Sequence, residues 1–160
     1  MRLNKILRKL LAYLPGLYLL MVGFNNILDY QTNFYFLSHV AGMNDLISGT
    51  ANTWRAVRNP LILHGMYLVV IGCECTSGLL IIRGAINMSF SPANSTEVKV
   101  HPSLLNGLLI AIFLWFFIFV CIAGEWFLMW QSDQYNAQAT AFALTLIYLL
   151  FYLIFTSGKT

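Results

Sequence analysis

Gly124-Glu125-Trp126-Phe127-Leu128-Met129-Trp130-Gln131-Ser132 closes a long apolar run, and the reading of that run decides the fold. The run opens near Ser103, so as a helix it extends about 45 Å at roughly 1.5 Å per residue. The hydrocarbon core of a bilayer is only about 30 Å thick, so such a helix must tilt or protrude. Glu125 lies about one and a half turns inside the end of the run, between a glycine and two tryptophans. Tryptophan favours the membrane–water interface, whereas an ionisable residue beneath it normally faces a bundle interior or a wet cavity rather than lipid. The stretch therefore marks one edge of a bilayer and a polar site just below it.

Composition extends this reading to the whole chain. Of 160 residues, 59% are hydrophobic and 9% charged, too little polar surface to cover a soluble domain. The apolar residues fall in runs long enough to span a bilayer, at about 10–29, 61–86, 103–131 and 136–156. The fold class expected is all-α: a single domain forming an antiparallel bundle of four transmembrane helices, because short connections make successive helices neighbours. A net charge of +3 is dispersed over flanks and loops, with no interleaving of basic and aromatic residues, so the lipid bilayer is the expected partner and nucleic acid is not. Cys73, Cys75 and Cys121 lie within apolar runs and read as small buried residues rather than disulfide partners.

The first run follows Arg2, Lys5, Arg8 and Lys9, as in a signal peptide. Asn25-Asn26-Ile27-Leu28-Asp29-Tyr30 offers no small-x-small cleavage site, however, so the run is expected to stay as the first span. Pro15-Gly16 predicts a bend near its inner end. Between the first two spans, Asn33-Phe34-Tyr35-Phe36-Leu37-Ser38-His39-Val40 is too apolar for a solvated loop. Residues 33–58 are expected to form a cap in the interface, beginning with a short helix or hairpin. Its rim would hold His39, Trp54 and Arg55 together with Trp126, Trp130 and Gln131. Asn52 or Thr53 can start a further turn through Arg58, and Pro60 suits the first turn of the second span.

Within that span Gly65, Gly72 and Thr76 predict a groove that admits a neighbouring helix. In the third, Gly107, Ala111, Leu114, Ile118, Cys121 and Glu125 share one face at helical spacing and should point inward, leaving Phe113, Phe116 and Phe117 for lipid or a partner. The fourth aligns Ala141, Thr145, Tyr148 and Tyr152. Seven of the nine lysines and arginines flank the spans on one side, and only Arg55 and Arg58 lie on the other. The positive-inside rule then places both termini in the cytoplasm and the cap in the periplasm, for a multi-pass protein of the inner membrane. The triplet Asn94-Ser95-Thr96 matches a glycosylation pattern, but this topology puts it on the cytoplasmic side.

With the spans at equal depth, polar residues gather under the outer surface: Asn25, Asn26 and Asp29, then His64 and Tyr67, Glu125, and finally Asn136 and Thr140. The depths of His64 and Glu125 differ by roughly 3 Å. The sharpest expectation is that these two face each other beneath the cap, with Asn26 and Tyr67 nearby, as a ligand or proton site; the plainer role is that of interhelical clamps. Glu74 is deeper, where a carboxyl either bonds a neighbouring helix or relays protons inward from Glu125. Metal signals are weak, since Cys73 and Cys75 diverge on a helix. A bis-histidine haem would require His39 to reach His64, because His101 falls on the inner side. No phosphate-cradling loop or nucleophile triad is present, so no residue is assigned a catalytic role.

Several of these residues together resemble a known family. Asp29-Tyr30 with Asn33-Phe34, His39 through Met43, Trp54-Arg55-Ala56, Pro60 with His64, Glu74, Gly84-Ala85 and above all Gly-Glu-Trp-Phe-x-Met-Trp-Gln-Ser are similar to the bacterial predicted small integral membrane proteins, domain of unknown function 2165. Met43-Asn44-Asp45 departs from the family's Met-Asp-Thr. The resemblance covers nearly the whole chain, implies a four-span inner-membrane protein and supplies no established activity. The residues themselves favour a non-catalytic membrane component, either a subunit of a larger complex or a binder of a small amphiphile. A transporter or proton conductor using Glu125, His64 and Glu74 ranks next, and an enzyme handling quinone or haem last.

Overall fold

The computed structural model describes residues 5–90 and 99–157. Arg2, Lys159, Pro92 and the Asn94-Ser95-Thr96 triplet lie outside them. Among the described residues every regular element is helical: α1 (Lys5–Leu11), α2 (Leu14–Leu28), α3 (Tyr30–Ala41), a 3₁₀ turn (Ala51–Arg55), α4 (Pro60–Ser89), α5 (Pro102–Ile112), a π-helix (Phe113–Trp126), a second 3₁₀ turn (Met129–Gln131) and α6 (Gln138–Thr156). Four stretches are long and apolar enough to cross a membrane, namely Lys5–Leu28, Pro60–Ser89, Pro102–Trp126 and Gln138–Thr156.

Local chemistry explains the helix starts. The bend expected from Pro15 separates α1 from α2 at Ala12 and Tyr13, and Pro15 sits in the first turn of α2, where its missing N–H leaves no helical acceptor unpaired. Asn59 caps α4, its Oδ1 accepting from the N–H of Leu61 at 2.9 Å, and Pro60 opens the helix. His101 does the same for α5, with Nδ1 accepting from the Ser103 N–H at 3.2 Å. At the other ends, the basic N-terminus meets helix carbonyls that have no partner within their own helices. Arg8 Nη2 donates to the Phe155 carbonyl at 3.2 Å and Lys9 Nζ to the Ser89 carbonyl at 3.1 Å, a favourable match of cations to two helix C-termini.

Small residues set the spacing of the bundle, though not those expected. A Cβ on Gly65 or Gly72 would meet nothing within 4 Å, and Thr76 is exposed. The seam runs along another stripe of α4. At Gly84 a Cβ would come within 2.5 Å of the Leu104 backbone, and at Gly107 within 2.8 Å of the Ser77 carbonyl. Ser77 Oγ fastens the seam by donating to the Gly107 carbonyl at 2.6 Å. On the opposite side of α4, Gly16 approaches Ile81 and Gly23 approaches Glu74 and Cys75. Both patterns of small residues were present in the sequence, and the positions of α2 and α5 select the one that is used. The core fills this frame with Leu19, Ile81, Leu104, Leu108, Leu114 and Phe155, and with Tyr148, whose hydroxyl donates to the Pro15 carbonyl at 3.0 Å. Ala141, Thr145, Tyr148 and Tyr152 do turn inward, and Phe113, Phe116 and Phe117 are exposed. The three cysteines are free and half-buried rather than buried.

The third span departs from α geometry halfway along. After Ile112 it winds with i→i+5 hydrogen bonds, ending in Phe127 N–H to the Ile122 carbonyl at 2.9 Å. The looser winding shifts its inward face. Gly107, Ala111 and Leu114 are buried as expected and Ile118 packs against the core, but Trp115, Val120 and Gly124 are then buried, while Cys121 is half-buried and Glu125 exposed. The helix ends at Trp126, and Leu128, whose φ of 58° is left-handed, turns the chain into the second 3₁₀ turn.

Candidate functional site

Toward the α3 side of the molecule, α4 and the π-helix part and leave a cavity of about 460 Å³. Its size falls within the range of small-molecule sites. Val22 and Asn26 of α2 form one wall, Tyr67, Val70 and Glu74 of α4 the next, and Trp115, Phe119 and Ile122 of the π-helix face them. Phe36, Leu37 and Val40 of α3 lie across one end, beside Phe127 and the start of α6 at Ala137 and Thr140.

Three of the residues singled out from the sequence meet here. Glu74 is 1% exposed, and its Oε2 accepts from Asn26 Nδ2 at 2.7 Å. Tyr67 donates to the Asn26 carbonyl at 2.9 Å, which fixes that turn of α2 against α4. Among the described residues no hydrogen bond reaches Glu74 Oε1, and the residue lines the cavity. Among the described residues no cation pairs with this carboxyl, and no lysine, arginine or histidine lines the cavity. Trp115, buried in the opposite wall, has an indole N–H without an acceptor.

The pairing of Glu125 with His64 does not form. His64 Nδ1 is 2.8 Å from the Tyr30 hydroxyl, and the ring stacks on Phe34 at 4.1 Å, so α3 takes up the histidine. Glu125 is exposed, and its Oε1 accepts from Gln138 Nε2 at 3.2 Å. The cause is the π-winding, which turns Gly124 toward α6 and rotates Glu125 off the face that a 3.6-residue period assigns it. The two histidines of a bis-histidine haem are each held by other neighbours: His39 stacks on Tyr135 at 4.6 Å with Nδ1 3.0 Å from the Tyr35 carbonyl, and His64 is engaged by Tyr30 and Phe34. Among the described residues, no three of His, Cys, Asp and Glu converge to hold a metal ion.

Most residues named for the cap rim lie around the end of the third apolar stretch. The Arg55 guanidinium lies 4.7 Å from the Trp126 ring and 5.5 Å from that of Trp54, a cation–π contact on two faces. Gln131 Oε1 accepts from Thr50 Oγ1 at 2.9 Å, Ser132 donates to Asp45, and Trp130 accepts from Asn136 through its carbonyl. His39, Tyr35 and Tyr135 pack beside them. Burial pushes the Tyr135 phenol above its ordinary value, with Tyr35 and Asp45 adding to the shift. Sequence reasoning missed Gln138, Tyr30 and Phe34 as partners. Only the helical offset from Tyr30 to Phe34, which puts both rings on one face, could have signalled the last two.

These features define an all-helical integral membrane protein with a polar group buried in an apolar cavity between its helices. Residues 3–157 match the model for predicted small integral membrane proteins (DUF2165), and the chain belongs to that family. Neither the curated proteins nor the solved structures contain a match.

Proposed function

We propose that the chain stands in the cytoplasmic membrane as an antiparallel four-helix bundle and binds one small amphiphile in the cavity beside Glu74. The observation that carries this reading is the cavity itself, with apolar walls and one buried carboxyl offering a free oxygen. Membrane helices close such gaps readily with side chains or lipid, so a space of this size around an unpaired polar group implies an occupant. The bundle topology is supported by the contacts of α1 with the ends of α4 and α6, which bring both described ends of the chain to one face. With the bias of lysine and arginine, that face is cytoplasmic, and α3 with the 3₁₀ turn at Ala51–Arg55 caps the periplasmic side. Proton conduction ranks second, because no hydrogen bond joins Glu125, His64 and Glu74. Service as a complex subunit rests on the exposed Phe113, Phe116 and Phe117 face, which lipid covers equally well.

Extraction in a mild non-ionic detergent followed by native mass spectrometry tests the proposal. One small amphiphile per chain is expected in the wild type, and its loss in Ala123→Phe, which fills the cavity from the π-helix wall. A chain free of bound amphiphile, or the same adduct in Ala123→Phe, overturns it. A stoichiometric protein partner would favour the complex-subunit reading instead.

A further inference from the structure

The chemistry around Glu74 narrows the class of occupant, an inference that rests on the amphiphile-binding reading above. Glu74 is 1% exposed, takes one amide hydrogen bond from Asn26 on Oε2, and lines the cavity. The rest of the lining is overwhelmingly apolar, and the hydroxyl of Tyr67 is already engaged by the Asn26 carbonyl. We propose that the cavity takes a single-chain amphiphile whose head carries a protonated amine, seated on Glu74 Oε1, with its chain lying along Val70, Phe119 and Ile122.

Charge complementarity excludes the main rivals. A fatty acid or a phosphate-headed lipid would bring a second anion to a site that has no lysine, arginine or histidine in its lining. An unpaired carboxylate in a medium of low dielectric is costly, and a hydrogen-bonded ammonium beside it offsets part of that cost, whereas a second anion adds to it. A neutral alcohol can donate to the same oxygen, but a hydrogen bond between two charged groups is roughly twice as strong as one between neutral groups. The surrounding hydrocarbon widens that difference by keeping competing water away.

The test compares three probes of one chain length, dodecylamine, dodecanol and dodecanoate, titrated into the purified full-length protein in a non-ionic detergent. Isothermal titration calorimetry gives the affinities, and because Trp115 lines the cavity, a shift in tryptophan emission that is absent in Trp115→Phe reports binding at this site. Dodecylamine is expected to bind at least tenfold more tightly than the other two, about 1.4 kcal/mol. Glu74→Gln should reduce dodecylamine to the level of dodecanol. Equal binding of amine and alcohol, or a preference for alcohol or acid, overturns the amine assignment and leaves the cavity as an amphiphile site. Absence of calorimetric binding by all three overturns both readings. If Glu74→Gln does not fold, the ranking in the wild type still decides, with Ala123→Phe as the blocked control.

Discussion

Gly84→Ala probes the seam that holds α4 against α5, and its cost can be worked from the geometry. The new Cβ would sit 2.5 Å from the Leu104 Cβ and backbone nitrogen and 2.7 Å from its Cα. Carbon atoms pack best at about 3.5–4.0 Å, so the helices must separate by roughly 1 Å. No rotamer change relieves a clash with backbone. Overpacking of this kind costs about 1–3 kcal/mol. Separation also stretches the hydrogen bond from Ser77 to the Gly107 carbonyl, and interhelical bonds in membranes average about 0.6 kcal/mol. The expected loss is about 2–3 kcal/mol, or roughly 30- to 150-fold in the folding equilibrium. Gly72→Ala is the control, because a Cβ there meets nothing within 4 Å. That substitution should be neutral, or stabilising by up to about 1 kcal/mol through helix propensity. Unfolding in mixed micelles with increasing anionic detergent, followed by circular dichroism, gives both midpoints. Equal midpoints, or a later one for Gly84→Ala, would refute the argument that this seam is closed at backbone distance.

The remaining expectations concern other parts of the frame. Tyr148→Phe removes the hydroxyl that holds α6 to the Pro15 carbonyl and should cost about 1 kcal/mol in the same unfolding assay, within the range for interhelical bonds in lipid. Arg55→Ala deletes the cation between Trp54 and Trp126, worth about 0.5–1 kcal/mol at an exposed site, and should raise hydrogen exchange across residues 42–58 while leaving α4 protected. Because Tyr135 titrates above its ordinary 10.0, the stability it contributes is full below that pH and is lost as pH rises through its raised value. Ultraviolet titration of tyrosinate should count one fewer late-titrating tyrosine in Tyr135→Phe than in the wild type.

Much of the fold was legible because long apolar runs have few alternatives in a bilayer, and Pro15, Pro60 and Pro102 punctuate them by removing backbone donors. The seam was not legible. Gly65, Gly72 and Thr76 look as suitable as Ser77, Gly78 and Gly84, and only the positions of the neighbouring helices distinguish the two stripes. Nor does any glycine or proline mark the change of winding at Phe113, so a constant 3.6-residue period carried Glu125 to the wrong face. The candidate site was half legible: Asn26, Tyr67 and Glu74 were named from depth and polarity, but Glu125 drew attention as the more conspicuous carboxylate.

That conspicuousness has a structural cause. In Trp126-Phe127-Leu128-Met129-Trp130-Gln131-Ser132 the polar and aromatic groups hold the segment that follows α3: Trp126 receives Arg55, Gln131 receives Thr50, and Ser132 donates to Asp45. Phe127 and Met129 bury themselves against Val40, Ala41, Met43 and Leu63, while the Val57 N–H returns to the Ala41 carbonyl at 2.8 Å. At its other end, α3 is held by Tyr30 and Phe34 on His64. A helix of 12 residues is marginal by itself. With both ends fastened, α3 can lie across the cavity end without filling it. The dense motif thus positions α3, while the chemically free group is Glu74, which sequence context alone presents as an isolated acid in an apolar helix.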